Sequence, residues 1–232
     1  MKHSSQRILT THTGSLPRPA GLMSLLNAKE LDEPFDRDTL AGRVKQAIAE
    51  IVRAQTDVGI DIPGDGEHSK VNWMAYARGR LSGLAELDTP VSFRTETRDS
   101  LEFAGAYADY KLMLAARSGD LVPKRAARPL AQACVGPISY VGQEEVAADI
   151  ANLKAALNGL PHEEAFITAI SPSNLELYYE NRHYGSDEEY LQALADAMAV
   201  EYRAIVDGGF ILQIDDPRMA THYNRTPDAT IA

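Results

Sequence analysis

Short apolar runs alternate along this chain with longer stretches whose apolar residues recur every three or four positions. That alternation predicts strands separated by helices. Ile8-Leu9-Thr10-Thr11 is the first short run, and it ends at His12-Thr13-Gly14-Ser15. After Pro17 and Pro19 a short helix is expected near 21–28. A stronger helix follows Asp36, with Leu40, Val44, Ile48, Ile51, Val52 and Val58 as its stripe and Gly59 at its end. Ile60-Asp61-Ile62 reads as a second strand running into Gly64-Asp65-Gly66-Glu67. Residues 69–85 read as helical, Val91-Ser92-Phe93-Arg94-Thr95 as a strand of an inserted hairpin, and 101–118 as a weaker helix.

The second half is more regular. A buried strand is predicted over 130–138, ending in Gly136-Pro137. Val146, Ile150, Leu153 and Leu157 mark a helix closed by Gly159, and 165–170 form a strand that ends in Ser171-Pro172-Ser173. Ser186 and Glu189 have the spacing of a capping box, in which hydroxyl and carboxylate satisfy end N–H groups reciprocally. Leu191, Leu194, Met198, Ile205 and Val206 line the helix that follows, Gly208-Gly209 stops it, and Phe210-Ile211-Leu212-Gln213-Ile214 forms a fifth strand ending at Asp215-Asp216-Pro217. Five βα units with buried strands imply a parallel sheet, either doubly wound or part of a (β/α)₈ barrel. No internal repeat, linker or composition shift divides the chain, so residues 1–232 read as one domain.

Composition narrows the classes. The 232 residues are 44% hydrophobic and 24% charged, as in an ordinary globular protein. A net charge of −10 leaves no basic footprint for nucleic acid and no polybasic patch for a membrane surface. No run reaches the length of a membrane span, and the N-terminus lacks a secretory h-region, so the cytoplasm is the expected location. Cys134 is the single cysteine, which excludes an intrachain disulfide and a cysteine-cluster zinc site.

Both parallel architectures put functional groups at strand C-terminal ends. The polar clusters at 12–15, 65–68, 136–137, 171–173 and 215–217 all fall there. Gly14 and Ser15 offer backbone N–H groups and a hydroxyl to a carboxylate. Glu67 and Asp215 are two carboxylates that suit an ammonium or an acid/base pair. Their bland readings are a loop turn, a helix cap and a turn starter. His12, Glu67 and His68 form a weak alternative as a histidine–carboxylate zinc site. Cys134 reads as core, and aromatic packing is the commoner reading for Trp73, Tyr76, Tyr178 and Tyr179. Dinucleotide, P-loop and serine-hydrolase motifs are absent.

Together these clusters resemble a family. Thr10-Thr11-His12-Thr13-Gly14-Ser15-Leu16-Pro17-Arg18-Pro19 resembles the opening of the catalytic domain of cobalamin-independent methionine synthase, closest to its shorter single-domain relatives. Asp65-Gly66-Glu67, Gly136-Pro137-Ile138 and Gln213-Ile214-Asp215-Asp216-Pro217 are similar to later motifs of that family, in the same order. The resemblance implies a (β/α)₈ barrel of the methionine synthase and uroporphyrinogen decarboxylase type, a zinc ion that binds a substrate thiol as thiolate, and methyl transfer from 5-methyltetrahydrofolate to homocysteine. By motif, His12, Gly14 and Ser15 fall in the substrate-binding opening, Ser15 would take the amino-acid carboxylate, and Glu67 and Asp215 its ammonium.

His12 departs from the true synthases, which carry an apolar or small residue there. Relatives with the His-x-Gly-Ser opening include an epoxide–coenzyme M transferase, so another thiol with an alkyl or epoxide donor is the alternative. A non-catalytic small-ligand-binding fragment is the alternative in a different class. The family's zinc ligands follow the fifth-strand motif, and the chain ends fifteen residues after Pro217. The expectation is therefore a partial barrel of about five of eight βα units, without those ligands. Its open sheet edges would favour pairing with a second copy, and it would be inactive alone.

Overall fold

The computed structural model describes residues 1–31, 33–72, 75–90, 97–117 and 130–225. Trp73 and the strand expected at 91–95 lie outside these residues. Eight α-helices and five strands are formed among the described residues, in a mixed α/β arrangement.

The first helix, α1 (Ala20–Glu30), follows Pro19 and buries Leu22 and Leu26. α2 (Arg37–Asp57) begins where Asp36 accepts a hydrogen bond from Thr39 N–H. Leu40, Val44, Ile48 and Val52 of its expected stripe are buried, but Val58 lies past the helix end and is exposed. The helix expected over 69–85 is only a 3-10 turn, Ala75–Arg80, after which the chain extends into strand β1 (Leu84–Pro90). Two short helices, α3 (Arg98–Glu102) and α4 (Ala104–Arg117), follow.

β2 (Leu130–Cys134) is shorter than the strand predicted over 130–138. It stops before Gly136-Pro137 and pairs antiparallel with β1, Leu84 facing Cys134. The inserted excursion thus begins before 91–95, and its two limbs return side by side, which favours antiparallel pairing. α5 (Gln143–Leu157) buries Val146, Leu153 and Leu157. β3 (Phe166–Ile170) is buried at every position. α6 (Pro172–Tyr178), capped by Ser171, and the short β4 (Tyr179–Asn181) were not foreseen; β4 runs parallel to β2.

α7 (Asp187–Asp207) is capped by Ser186, whose hydroxyl accepts from Glu189 N–H. The capping box is only half formed, because the Glu189 carboxylate accepts from Gly185 N–H instead. Tyr190, Leu194, Ala197, Met198 and Ile205 make the buried face, whereas Leu191 and Val206 are exposed. β5 (Ile211–Asp215) pairs parallel with β3 as predicted, Thr168 opposite Gln213 and Ile170 opposite Asp215. α8 (Pro217–Arg225) follows.

Residues 8–11 and 60–62 are not regular strands. Asp61 explains both: its carboxylate takes the Thr10 N–H at 2.8 Å and pairs with Arg7, replacing ladder bonds with side-chain bonds. Pro63 next to it has no N–H to donate. The two segments still flank the β3–β5 pair. Thr10 C=O accepts from Asp61 and Ile62 N–H, Pro63 C=O accepts from Phe166 N–H, and Gly64 forms a parallel bridge with Phe166. Two sheets result, β1-β2-β4 and β3-β5, with no closed barrel among the described residues. One core joins them to α1, α2, α5 and α7, through residues such as Ile48, Leu153, Ile167, Leu194 and Met198. No helix among the described residues is long and apolar enough to cross a membrane.

Candidate functional site

In a strand, residues two apart share a face. Phe166, Thr168 and Ile170 of β3 therefore share one face, as do Ile211, Gln213 and Asp215 of β5. Loops 12–18 and 65–68 meet the first of these strands. Leu16 N–H donates to Gly66 C=O at 3.1 Å. Arg18 donates twice to Glu67 C=O, from Nε at 3.1 Å and from Nη2 at 2.9 Å. Its Nη1 also reaches the Ser15 hydroxyl at 3.4 Å.

Gly14 sits between these loops and the strands with φ +142°. A Cβ there would lie 2.9 Å from Glu67 Oε1 and 2.9 Å from Thr168 Cγ2. Only glycine fits such a backbone with such neighbours. Beside it, the Gln213 amide donates to Thr13 C=O at 2.5 Å and to Asp215 Oδ1 at 2.9 Å. Gly14, Ser15, Glu67 and Asp215 are therefore neighbours, linked through Arg18, Gln213 and Thr168.

Glu67 is the most unusual of them. It is 2% exposed and adopts φ +58°, a left-handed conformation that costs a non-glycine residue roughly 1–2 kcal/mol. Asp65 holds the turn by accepting from Glu67 N–H at 2.9 Å. Glu67 Oε1 accepts from the Thr168 hydroxyl at 3.2 Å. Glu67 Oε2 is buried without a hydrogen-bond partner, with Arg18 Nη2 3.8 Å away. Burial pushes the Glu67 carboxyl above the usual range; Lys70 opposes this, and the charges of Asp65 and Asp215 add to it. Asp65 is likewise pushed up by burial. Strain stored in a buried polar residue is common where a group is held for function.

His12 has a different part. Its Nε2 lies 2.8 Å from Gln55 Oε1, and its Nδ1 accepts from Gly14 N–H at 3.2 Å. Gln55 Oε1 also accepts from Gly64 N–H, and its amide donates to Gly64 C=O and Ile51 C=O. An acceptor oxygen facing Nε2 and a donor facing Nδ1 select the neutral Nε2–H tautomer. Burial, the larger effect, lowers the His12 pKa, with the Gln55 bond opposing it. The ring braces loop 12–15 against α2. His68 is buried too, and burial lowers its pKa.

The zinc alternative at His12, Glu67 and His68 is not realised. Both His12 nitrogens are engaged, and no group of three His, Cys, Asp or Glu side chains among the described residues is disposed to hold a metal. Cys134 is fully buried, its thiol donating to Gly136 C=O at 3.3 Å and pushed up by burial. Tyr179 and Tyr178 pack in or against the core. Asp216 serves structure: it accepts from Met219 N–H at the start of α8 and from Ser173 and Asn174.

Sequence patterns passed over Lys70, Thr168, Arg18 and Gln213. Thr168 had one signal, a lone hydroxyl in the apolar run Phe166-Ile167-Thr168-Ala169-Ile170. Arg18 and Gln213 lay inside the recognised motifs without a role. Nothing local marks Lys70 as buried.

Methionine synthase from Thermococcus kodakarensis is 23% identical over 214 residues, covering 92% of this chain and 53% of that protein. A B12-independent methionine synthase from Shewanella sp. W3-18-1, solved in complex with selenomethionine, superposes with a TM-score of 0.62 at 20% identity, covering 90% of this chain and 51% of that one. This chain resembles the B12-independent methionine synthases. A Listeria monocytogenes protein assigned to the same class matches with a TM-score of 0.60 at 20% identity, over 93% of this chain and 54% of its own. No protein-family model matches the sequence. The chain spans about half the length of the relatives it matches. The mixed α/β fold is similar to about half of each of those structures, and the similarity extends over nearly the whole of this chain.

Proposed function

We propose that residues 1–232 are a single partial (β/α)₈-barrel domain, about five of eight βα units, carrying the amino-acid-binding part of a thiol methyltransferase that moves a methyl group from 5-methyltetrahydrofolate to homocysteine. The observation that carries this reading is the buried carboxylate of Glu67, whose Oε2 has no hydrogen-bond partner and which feels the charge of Asp215. A zwitterionic amino acid meets each need of such a rim. Its ammonium supplies a donor to Oε2 and offsets the repulsion among Glu67, Asp65 and Asp215. Its carboxylate takes the Ser15 hydroxyl, with the Arg18 guanidinium alongside. The Shewanella relative was solved with selenomethionine, itself a zwitterion of this kind.

In this scheme the residues present bind and orient the thiol substrate. Gly14 lets the loop approach Glu67, and Gln213 holds the Asp215 carboxylate. The donor set among the described residues does not fit zinc, so no step of the proposal is assigned to a metal.

Calorimetric titration of the protein with L-homocysteine tests the reading. Glu67→Gln and Asp215→Asn should each weaken binding by about tenfold or more, as expected when a charge-assisted hydrogen bond is lost. Unchanged affinity in both variants would assign the rim to a different ligand.

A further inference from the structure

Lys70 is a lysine only 2% exposed, directly below the rim. Its ammonium donates to Thr168 C=O at 2.5 Å and to Thr168 Oγ1 at 3.3 Å, and lies 4.5 Å from the centre of the Tyr76 ring. An ammonium has protons to give and no lone pair to receive one. Thr168 Oγ1 therefore acts as acceptor toward Lys70, and its single proton is left to point at Glu67 Oε1, 3.2 Å away. The three groups form a one-way chain, Lys70 to Thr168 to Glu67.

We propose that Lys70 and Thr168 are positioning residues that set which oxygen of Glu67 meets the ligand: they tie down Oε1 and leave Oε2 as the acceptor. The inference rests on the amino-acid reading of the site. Three arguments support it. The order of donors is dictated by the chemistry of ammonium and hydroxyl. All three groups are buried, where a polarised chain of hydrogen bonds is strengthened. The other charged groups around Glu67 do not replace this tie. Asp65 bonds the backbone N–H of Glu67, Asp215 is held by Gln213, and Arg18 bonds the Glu67 backbone C=O and pairs with Oε2 only at 3.8 Å, beyond hydrogen-bond reach. Without the hydroxyl, the Glu67 carboxylate loses the one hydrogen bond that tells its two oxygens apart and keeps only the longer Arg18 pair at 3.8 Å.

The test uses the 232-residue protein and the variants Thr168→Val, Thr168→Ser and Lys70→Met. The carboxyl carbon of Glu67, assigned in carbon-13 NMR spectra through Glu67→Gln, is followed against pH. L-homocysteine affinity is measured in parallel. The expected result is a Glu67 titration midpoint at higher pH in Thr168→Val and Lys70→Met, near wild type in Thr168→Ser. Homocysteine binding should be about tenfold weaker in Thr168→Val and restored in Thr168→Ser. An unmoved midpoint in folded Thr168→Val overturns the proposal, and that near-isosteric variant decides the matter should Lys70→Met fail to fold. Moved midpoints with no homocysteine binding by wild type support the positioning pair and overturn the amino-acid reading.

Discussion

Gly14 and Glu67 touch across 53 positions of sequence, so closely that a methyl group on Gly14 would stand 2.9 Å from the Glu67 carboxylate. The contact joins the first polar loop to the second, and the backbone of Gly14 at φ +142° makes it possible. Gly14→Ala should therefore cost about 1–3 kcal/mol of stability, from overpacking and backbone strain together. Urea denaturation measures this. A loss below about 0.5 kcal/mol, the level of an ordinary surface substitution, would show that the loop relaxes away from Glu67.

This contact shows how far the sequence reaches. Helices α2, α5 and α7 were legible because their stripes repeat over about three or more turns, and β3 and β5 because each is an apolar run closed by polar residues. The rim candidates Gly14, Ser15, Glu67 and Asp215 were legible as motif positions at strand ends. Lys70 was not, because an apolar environment for a lysine is built by distant residues such as Tyr76 and Thr168. The strands at 8–11 and 60–62 were overcalled because alternation says nothing of Asp61, whose carboxylate intercepts the ladder. The antiparallel partner of β2, Leu84–Pro90, was not legible as a strand because its pattern is mixed.

His12 and His68 give the fold a pH dependence of definite sign. Burial lowers both pKa values below that of an exposed histidine. The unfolded chain therefore takes up protons first as pH falls through the mid-6 range, and stability present above that range is lost below it. The two histidines should make the urea midpoint rise between pH 5 and pH 7, against an opposite contribution from the buried carboxyls of Asp65 and Glu67. Replacing His12 with Asn should flatten part of that rise and lower stability at pH 7 by about 1 kcal/mol through loss of the Gln55 and Gly14 bonds. An identical slope in wild type and His12→Asn would contradict the brace.

Arg80 lies in a buried charge cluster, 2.6 Å from Asp149 and 3.1 Å from Glu201, with Tyr140 and Tyr76 also donating to Glu201. Arg80→Met strands two buried carboxylates. It should destabilise by about 3–5 kcal/mol, whereas loss of the solvent-screened Arg182–Glu180 pair should have little effect. Thermal unfolding of Arg80→Met and Arg182→Met, compared side by side, checks the contrast; equal effects would mean that the cluster is hydrated.

The pH dependence of ligand binding follows from Glu67. Its carboxyl is raised by burial, and a bound ammonium needs it ionised. Affinity for L-homocysteine should therefore be full at neutral pH and fall as acid protonates Glu67, at a pH above that of a solvent-exposed glutamate. Titrations across pH 4–8 would show this, and a flat profile in that interval would remove Glu67 from the binding step.

The most direct measurement compares L-homocysteine with 4-mercaptobutanoate, which keeps the thiol and the carboxylate but lacks the ammonium. If Glu67 and Asp215 bind an ammonium, calorimetry with this protein should show L-homocysteine binding at least about tenfold tighter, with the difference abolished in Glu67→Gln. Equal affinity for the two thiols would contradict the account.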